Sequence, residues 1–126
     1  MELINKKELN QLDFLQDQIK SEPYKKSVTN QNEKIEKILI LDTETTGLDE
    51  NKNEVIEIGC ILFDVSFKCV LSQVSFLFPV SNNEAEYVNG ISAEVTNISQ
   101  PWEDGLNFFL KLVDSSDFIV AMTNSY

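Results

Sequence analysis

The sequence predicts a single α/β domain built on a mixed sheet, and three observations carry that expectation. The unbroken apolar run Ile38-Leu39-Ile40-Leu41 ends at Asp42, the pattern of a strand buried on both faces in the interior of a sheet. Two β-rich segments follow, Val55 to Val65 and Val70 to Phe78, joined by a connection short enough for an antiparallel hairpin. A helical pattern then precedes a last apolar run, Phe118 to Ala121. A helical crossover of this kind is what a parallel pairing of the last strand with the first requires.

Taken from the N-terminus, residues 6–20 place Leu9, Leu12, Leu15 and Ile19 at helical spacing among Lys, Glu, Asp and Gln, which predicts an amphipathic packing helix. Ser21 to Glu36 holds Pro23, Ser27, Thr29, Asn30 and Asn32 and little apolar content, so it reads as a linker. The expected division is therefore 1–34, an N-terminal helix and linker, and 35–126, the domain proper. Thr45 to Asn53 supplies loop chemistry, with Gly47 available for positive φ. In the third strand Val70, Ser72, Val74, Phe76 and Phe78 are expected on one face. Pro79 to Asn89 reads as a polar loop and Ser92 to Asn97 as a short helix capped by Ser92. Ser99-Gln100-Pro101-Trp102-Glu103 reads as a helix start, with Ser99 as cap and Pro101 in the first turn. Leu106, Phe109, Leu110 and Val113 form that helix's buried face, and Trp102 anchors it to the sheet. Nothing after Tyr126 covers the other face, so the domain is expected to be incomplete at its C-terminal side.

Composition narrows the chemistry. The 126 residues hold 10 basic and 21 acidic side chains, a net charge of -11, and 42% hydrophobic residues, the profile of one soluble domain. No apolar run approaches the roughly 20 residues of a membrane helix, and Met1 to Lys7 has no signal-peptide apolar region; the cytoplasm is the expected compartment. Cys60 and Cys69 cannot build a zinc site without further Cys or His, so both are expected to be buried free thiols. Every basic residue is Lys, with no Arg and no His. That excludes a bidentate guanidinium clamp on phosphate and an imidazole general base. Residues 35–126 hold four Lys and fifteen acids, so this segment carries the whole net charge and repels a polyanion unless cations mediate.

Asp42 and Glu44 lie two apart at the end of the first buried strand, and a period of two puts both carboxylates on one face. Two anions so placed repel each other, and a divalent cation is their natural partner. Spacing alone equally describes a solvated strand end. The wider segment I-L-I-L-D-T-E-T-T-G-L followed, after a polar loop, by E-V-I-E-I-G-C-I-L-F resembles the first acidic motif of DEDD 3'-5' exonucleases. That family has a ribonuclease H-like fold and includes the proofreading subunit of bacterial DNA polymerase III. The likeness continues through Asn89 to Ser92, Pro101-Trp102 and Asp117 to Ala121.

What the resemblance implies is hydrolysis of a phosphodiester at the 3' end of a nucleic acid, DNA ahead of RNA, by two-metal catalysis with Mg²⁺ or Mn²⁺. Asp42 and Glu44 match catalytic metal ligands, and Thr43 and Thr45 match positions lining the terminal nucleotide. Glu84 and Asn89 fall where the family has a glutamate and a histidine near that nucleotide; Asn89 departs from the histidine, and a solvated loop acid is the alternative for Glu84. A DNA polymerase partner and self-association are further expectations. The departures concern later motifs. After Phe118 to Ala121 the family carries a histidine and then an acid, whereas this sequence has Met122 at the histidine position and stops at Tyr126, one position before the acid. The motif with the last carboxylate and the general base has no counterpart. Two readings follow: an exonuclease-family domain of impaired activity, or a non-catalytic remnant that serves as an interaction or nucleotide-binding module.

Overall fold

A computed structural model describes residues 2–4 and 34–122. It contains a five-stranded sheet of β1 (Glu2–Ile4), β2 (Lys37–Thr45), β3 (Val55–Asp64), β4 (Cys69–Leu77) and β5 (Phe118–Ala121). Three helices, α1 (Glu86–Asn89), α2 (Ala93–Thr96) and α3 (Trp102–Ser115), lie between β4 and β5. The strand order is β1-β5-β2-β3-β4. β2, β3 and β4 form an antiparallel meander, while β5 returns through α3 to pair parallel with β2, Ile38 opposite Phe118 and Leu41 opposite Ala121. The mixed sheet and its helical crossover are thus as the sequence predicts. The expected helix over residues 6–20 lies outside the described residues, but Glu2–Ile4, placed by sequence in the helix-and-linker segment, is an edge strand antiparallel to β5.

Leu39, Leu41, Ile58, Cys60, Leu62, Phe76 and Ile119 form a core with Leu106, Phe109 and Leu112 of α3. Burial of this apolar surface is the main force holding the crossover in place. Trp102 packs against the core with its ring centroid 5.7 Å from that of Phe78, the anchoring role its position suggests. At Gly105 helix and sheet approach so closely that a Cβ there would lie 2.7 Å from the Phe76 ring. A clamp at the other end of the crossover was not legible in sequence: Asp117 accepts the backbone N–H groups of Glu36 and Lys37 at 2.9 and 2.8 Å, joining the start of β5 to the start of β2.

Several expectations are corrected. β2 is buried on one face only: Leu39 is fully buried, whereas its neighbour Ile40 is 37% exposed, because α3 covers only the Leu39 side. The third strand does not keep one face. The register shifts between Leu62 and Phe63, so that Ser72 pairs with Leu62 but Val70 pairs with Phe63; the extra residue, Leu71, turns Val70 to the other face. Cys69 is exposed and only Cys60 is buried, its thiol pushed up to about 11 by desolvation, against a lowering backbone hydrogen bond from Val74. Helix α3 is capped at Pro101 with no side-chain hydrogen bond, not at Ser99, since the Pro101 carbonyl already accepts the first helical bond, from the Gly105 N–H at 3.2 Å. Its buried face is Leu106, Phe109 and Leu112, with Leu110 and Val113 partly buried. The short helix at 92–97 does form, and the Ser92 side chain accepts from the Glu94 N–H. The loop from Pro79 to Asn89 contains α1, which ends at Gly90 with φ of 71°. Among the described glycines Gly90 alone has positive φ; Gly47 instead admits the Asn53 side chain, which a Cβ would meet at 2.6 Å.

Candidate metal and nucleotide site

β2 and β5 run parallel, so their carboxyl ends lie together, and in sheets of this kind ligand sites gather beyond those ends. There β2 carries Asp42-Thr43-Glu44-Thr45. Asp42 is paired with Gly59 and Glu44 with Glu57, and residues directly opposite on antiparallel strands share a face. Asp42, Glu44 and Glu57 therefore stand on the face that α3 leaves open. Sequence reasoning passed over Glu57; the signal was the antiparallel register that the hairpin would impose. A Cβ at Gly59 would meet nothing within 4 Å, so the surface beside Asp42 is open.

The electrostatics are those of crowded anions. Desolvation by burial, then Asp42, then Glu57 hold the Glu44 carboxyl above the ordinary range, because each disfavours the charged form. One Asp42 oxygen accepts the Thr43 N–H at 3.0 Å, and a Glu57 oxygen accepts the Ser75 hydroxyl at 3.1 Å. Among the described residues the one ion pair is Lys52 with Asp49 at 3.3 Å, away from this cluster. Oxygen donors of this kind suit a hard divalent cation. Asp42 and Glu44 fit such an ion as part of its shell, and no set of three ligating side chains occurs among the described residues.

A cleft of about 960 Å³ opens beside the pair, lined by Thr43, Glu44, Thr45, Glu84, Tyr87 and Asn89 among others. It brings together five of the six residues singled out from sequence. Asp42 is not among them; it lines a separate depression of about 560 Å³ on the open face, with Ile40, Gly59 and Ile61.

A hydrogen-bonded frame fixes the cleft's shape. The Asn89 amide donates to the Thr45 carbonyl at 3.0 Å, while its oxygen accepts from the Asn83 amide at 2.9 Å and from the Ile91 N–H at 3.0 Å. Asn83 is buried, donates also to the Ile91 carbonyl at 2.6 Å, and accepts the Ala85 N–H at 3.1 Å. Thr45 donates its hydroxyl to the Gly47 carbonyl at 2.7 Å. Asn83 thus joins the loop to Asn89, and Asn89 joins it to the strand end. Asn83 was missed from sequence, where one polar loop residue among many carries no distinguishing pattern.

The chain matches the family described as Exonuclease (RNase_T) over residues 39–123. Among solved structures it is similar to a full-length 3'-exonuclease, at 14% identity and a TM-score of 0.51, over 73% of this chain and 47% of that one. It is also similar to cell-death related nuclease 4 (CRN-4), at 23% identity and a TM-score of 0.45, over 64% of this chain and 31% of that one. The chain spans about half the length of the first and a third of the second. No curated protein matches it. At such identity the first likeness speaks for the fold alone.

Proposed function

We propose, from the premise that this chain belongs to the exonuclease family, the DEDD-type enzymes of ribonuclease H-like fold, that it supplies the first acidic motif of a 3'-5' exonuclease site. Asp42 and Glu44 hold Mg²⁺ or Mn²⁺, and Thr43, Thr45, Glu84 and Asn89 surround the terminal nucleotide. The observation that carries this reading is the placement of both carboxylates on one open face at the strand end, beside the cleft.

When bound, the divalent ion supplies charge neutralisation and activation of water for phosphodiester hydrolysis. The chain's own residues prepare for it. Asp42 keeps one oxygen on the Thr43 N–H and has the other free to ligate. Glu44, crowded by Asp42 and Glu57, loses that repulsion when a cation arrives. Asn89 holds Thr45 against the cleft wall, so its role is to position the strand end.

Hydrolysis by this stretch is impaired in our reading, because two carboxylates leave most of a metal's shell to water and the sequence holds no histidine to act as base. DNA is favoured over RNA, and a polymerase subunit and a second copy of the chain are partners to test. The experiment is a labelled single strand with excess Mn²⁺, alongside calorimetric titration of the metal. The expected result is weak Mn²⁺ binding lost in Asp42→Ala, with no stepwise shortening. Shortening that disappears in Asp42→Ala overturns the impairment; metal binding indifferent to Asp42 and Glu44 overturns the site.

A further inference from the structure

The face of the sheet opposite α3 is apolar toward the start of β2. Two rows of paired residues cross it, Phe118 with Ile38 and Phe63, and Val120 with Ile40 and Ile61. Val120 is buried, but Ile40 and Phe118 are 37% and 40% exposed. Beside them Ile40 and Ile61 line the depression of about 560 Å³. A sheet with apolar residues on both faces buries each of them against a further layer, and α3 already fills one side.

The path of the chain supplies an occupant for the other. β1 is antiparallel to β5, and β5 is parallel to β2, so Ile4 at the end of β1 and Lys37 at the start of β2 lie at the same end of the sheet with β5 between them. Two strand spacings, about 10 Å, separate β1 from β2, and about four extended residues would bridge that gap. Residues 5–33 number 29. Within them Leu9, Leu12, Leu15 and Ile19 make the apolar stripe of a helix expected over 6–20. A helix of that length is about 22 Å long, and residues 21–33 can reach back about 43 Å when extended. The helix can therefore lie on the open face while the chain still returns to β2.

Charge selects this segment over a second copy. Residues 1–34 hold six Lys and six acids, whereas the whole chain carries -11, so two copies repel each other where the N-terminal segment does not. Its tether to both β1 and β2 also keeps its local concentration at about millimolar, without any loss on dilution.

We infer that residues 6–20 form a helix docked on the open face, with Leu9, Leu12, Leu15 and Ile19 packed over Ile40, Ile61 and Phe118. The sheet then lies between α3 and this helix. The inference uses none of the carboxylates and is independent of the exonuclease reading.

The test uses the full chain with Cys69→Ser, which removes the exposed thiol and leaves the buried Cys60. A thiol placed on the face by Ile40→Cys should react with a maleimide at least about tenfold more slowly than Cys69 does in the wild-type chain. Replacing Leu9, Leu12, Leu15 and Ile19 together by Ser should abolish that protection. A second measurement leaves the apolar stripe intact: a spin label at Asn10→Cys, opposite the stripe, should broaden the amide signals of 38–41 and 60–63 and spare those of α3. An Ile40→Cys thiol as reactive as Cys69 overturns the inference, as does broadening of α3 in place of β2 and β3. Protection that survives the serine substitutions and grows with protein concentration assigns the face to a second copy and overturns it too.

Discussion

Glu57 on β3 stands directly across the ladder from Glu44 on β2. Like charges directly opposite each other weaken a sheet, and burial and Asp42 press on Glu44 in the same direction. The strand end is therefore less stable than its packing allows, at the point where a cation would relieve it.

Glu44→Gln should raise the thermal midpoint at pH 7. The folded state lifts this carboxyl above its ordinary value, so the folded state favours the protonated form. The stability tied to that proton is present below the ordinary value of 4.5 and is lost as pH rises through the folded value. The variant's advantage should accordingly be present at neutral pH and close in more acidic solution. Because the group is largely solvated, its size is on the order of a few tenths of a kcal/mol. Paired melts at the two pH values check this, and an advantage that persists below the ordinary value refutes it.

Mn²⁺ should stabilise the wild-type chain by about 1.4 kcal/mol at tenfold excess over its dissociation constant. Mg²⁺ should do less at equal concentration, since it sheds water reluctantly and only two carboxylates are offered. Asp42→Ala and Glu44→Gln should remove the shift. Melting curves across a metal titration read it directly.

Asn83→Ala should cost about 1–3 kcal/mol, because it strands the Ala85 N–H and the Ile91 carbonyl in a partly buried loop and leaves the Asn89 oxygen with the Ile91 N–H as its remaining donor. The Asn89 bond to Thr45 would loosen with it. Chemical denaturation gives the cost, and faster amide exchange at 84–91 would place the damage in the cleft frame.

Gly105→Ala should destabilise although alanine is the better helix former by up to about 1 kcal/mol. The new Cβ would meet Phe76 ring carbons at 2.7 and 2.9 Å, and overpacking of this kind costs about 1–3 kcal/mol. A rise in midpoint would mean that α3 and β4 can separate without loss.

Deleting residues 1–34 should lower the midpoint or promote association. It removes β1, which pairs with β5 through Glu2 opposite Ala121 and Ile4 opposite Ile119, and so exposes an unpaired edge. An equally stable, monodisperse chain after the deletion would show that the edge strand contributes nothing.

The sequence by itself determined β2 to β5, α2 and α3 and their order, but neither the edge strand β1 nor the short helix α1. Apolar runs and turn residues marked β2, β3 and β4, and the spacing of Leu106 and Phe109 marked α3, since periodicity reports which face of an element is buried. It also determined that Asp42 and Glu44 share a face, because two residues two apart on a strand must. The tertiary structure decided what depends on partners distant in the chain. Ile40 is exposed while Leu39 is buried because a helix some sixty residues later covers one face only. Glu57 joins the acidic cluster because of strand register, and Asn83 and Asn89 become the frame of the cleft because a loop folds back onto Thr45. Local pattern carries the propensity of a segment; pairing, burial and hydrogen-bond partners are properties of two segments at once, and these the fold alone supplies.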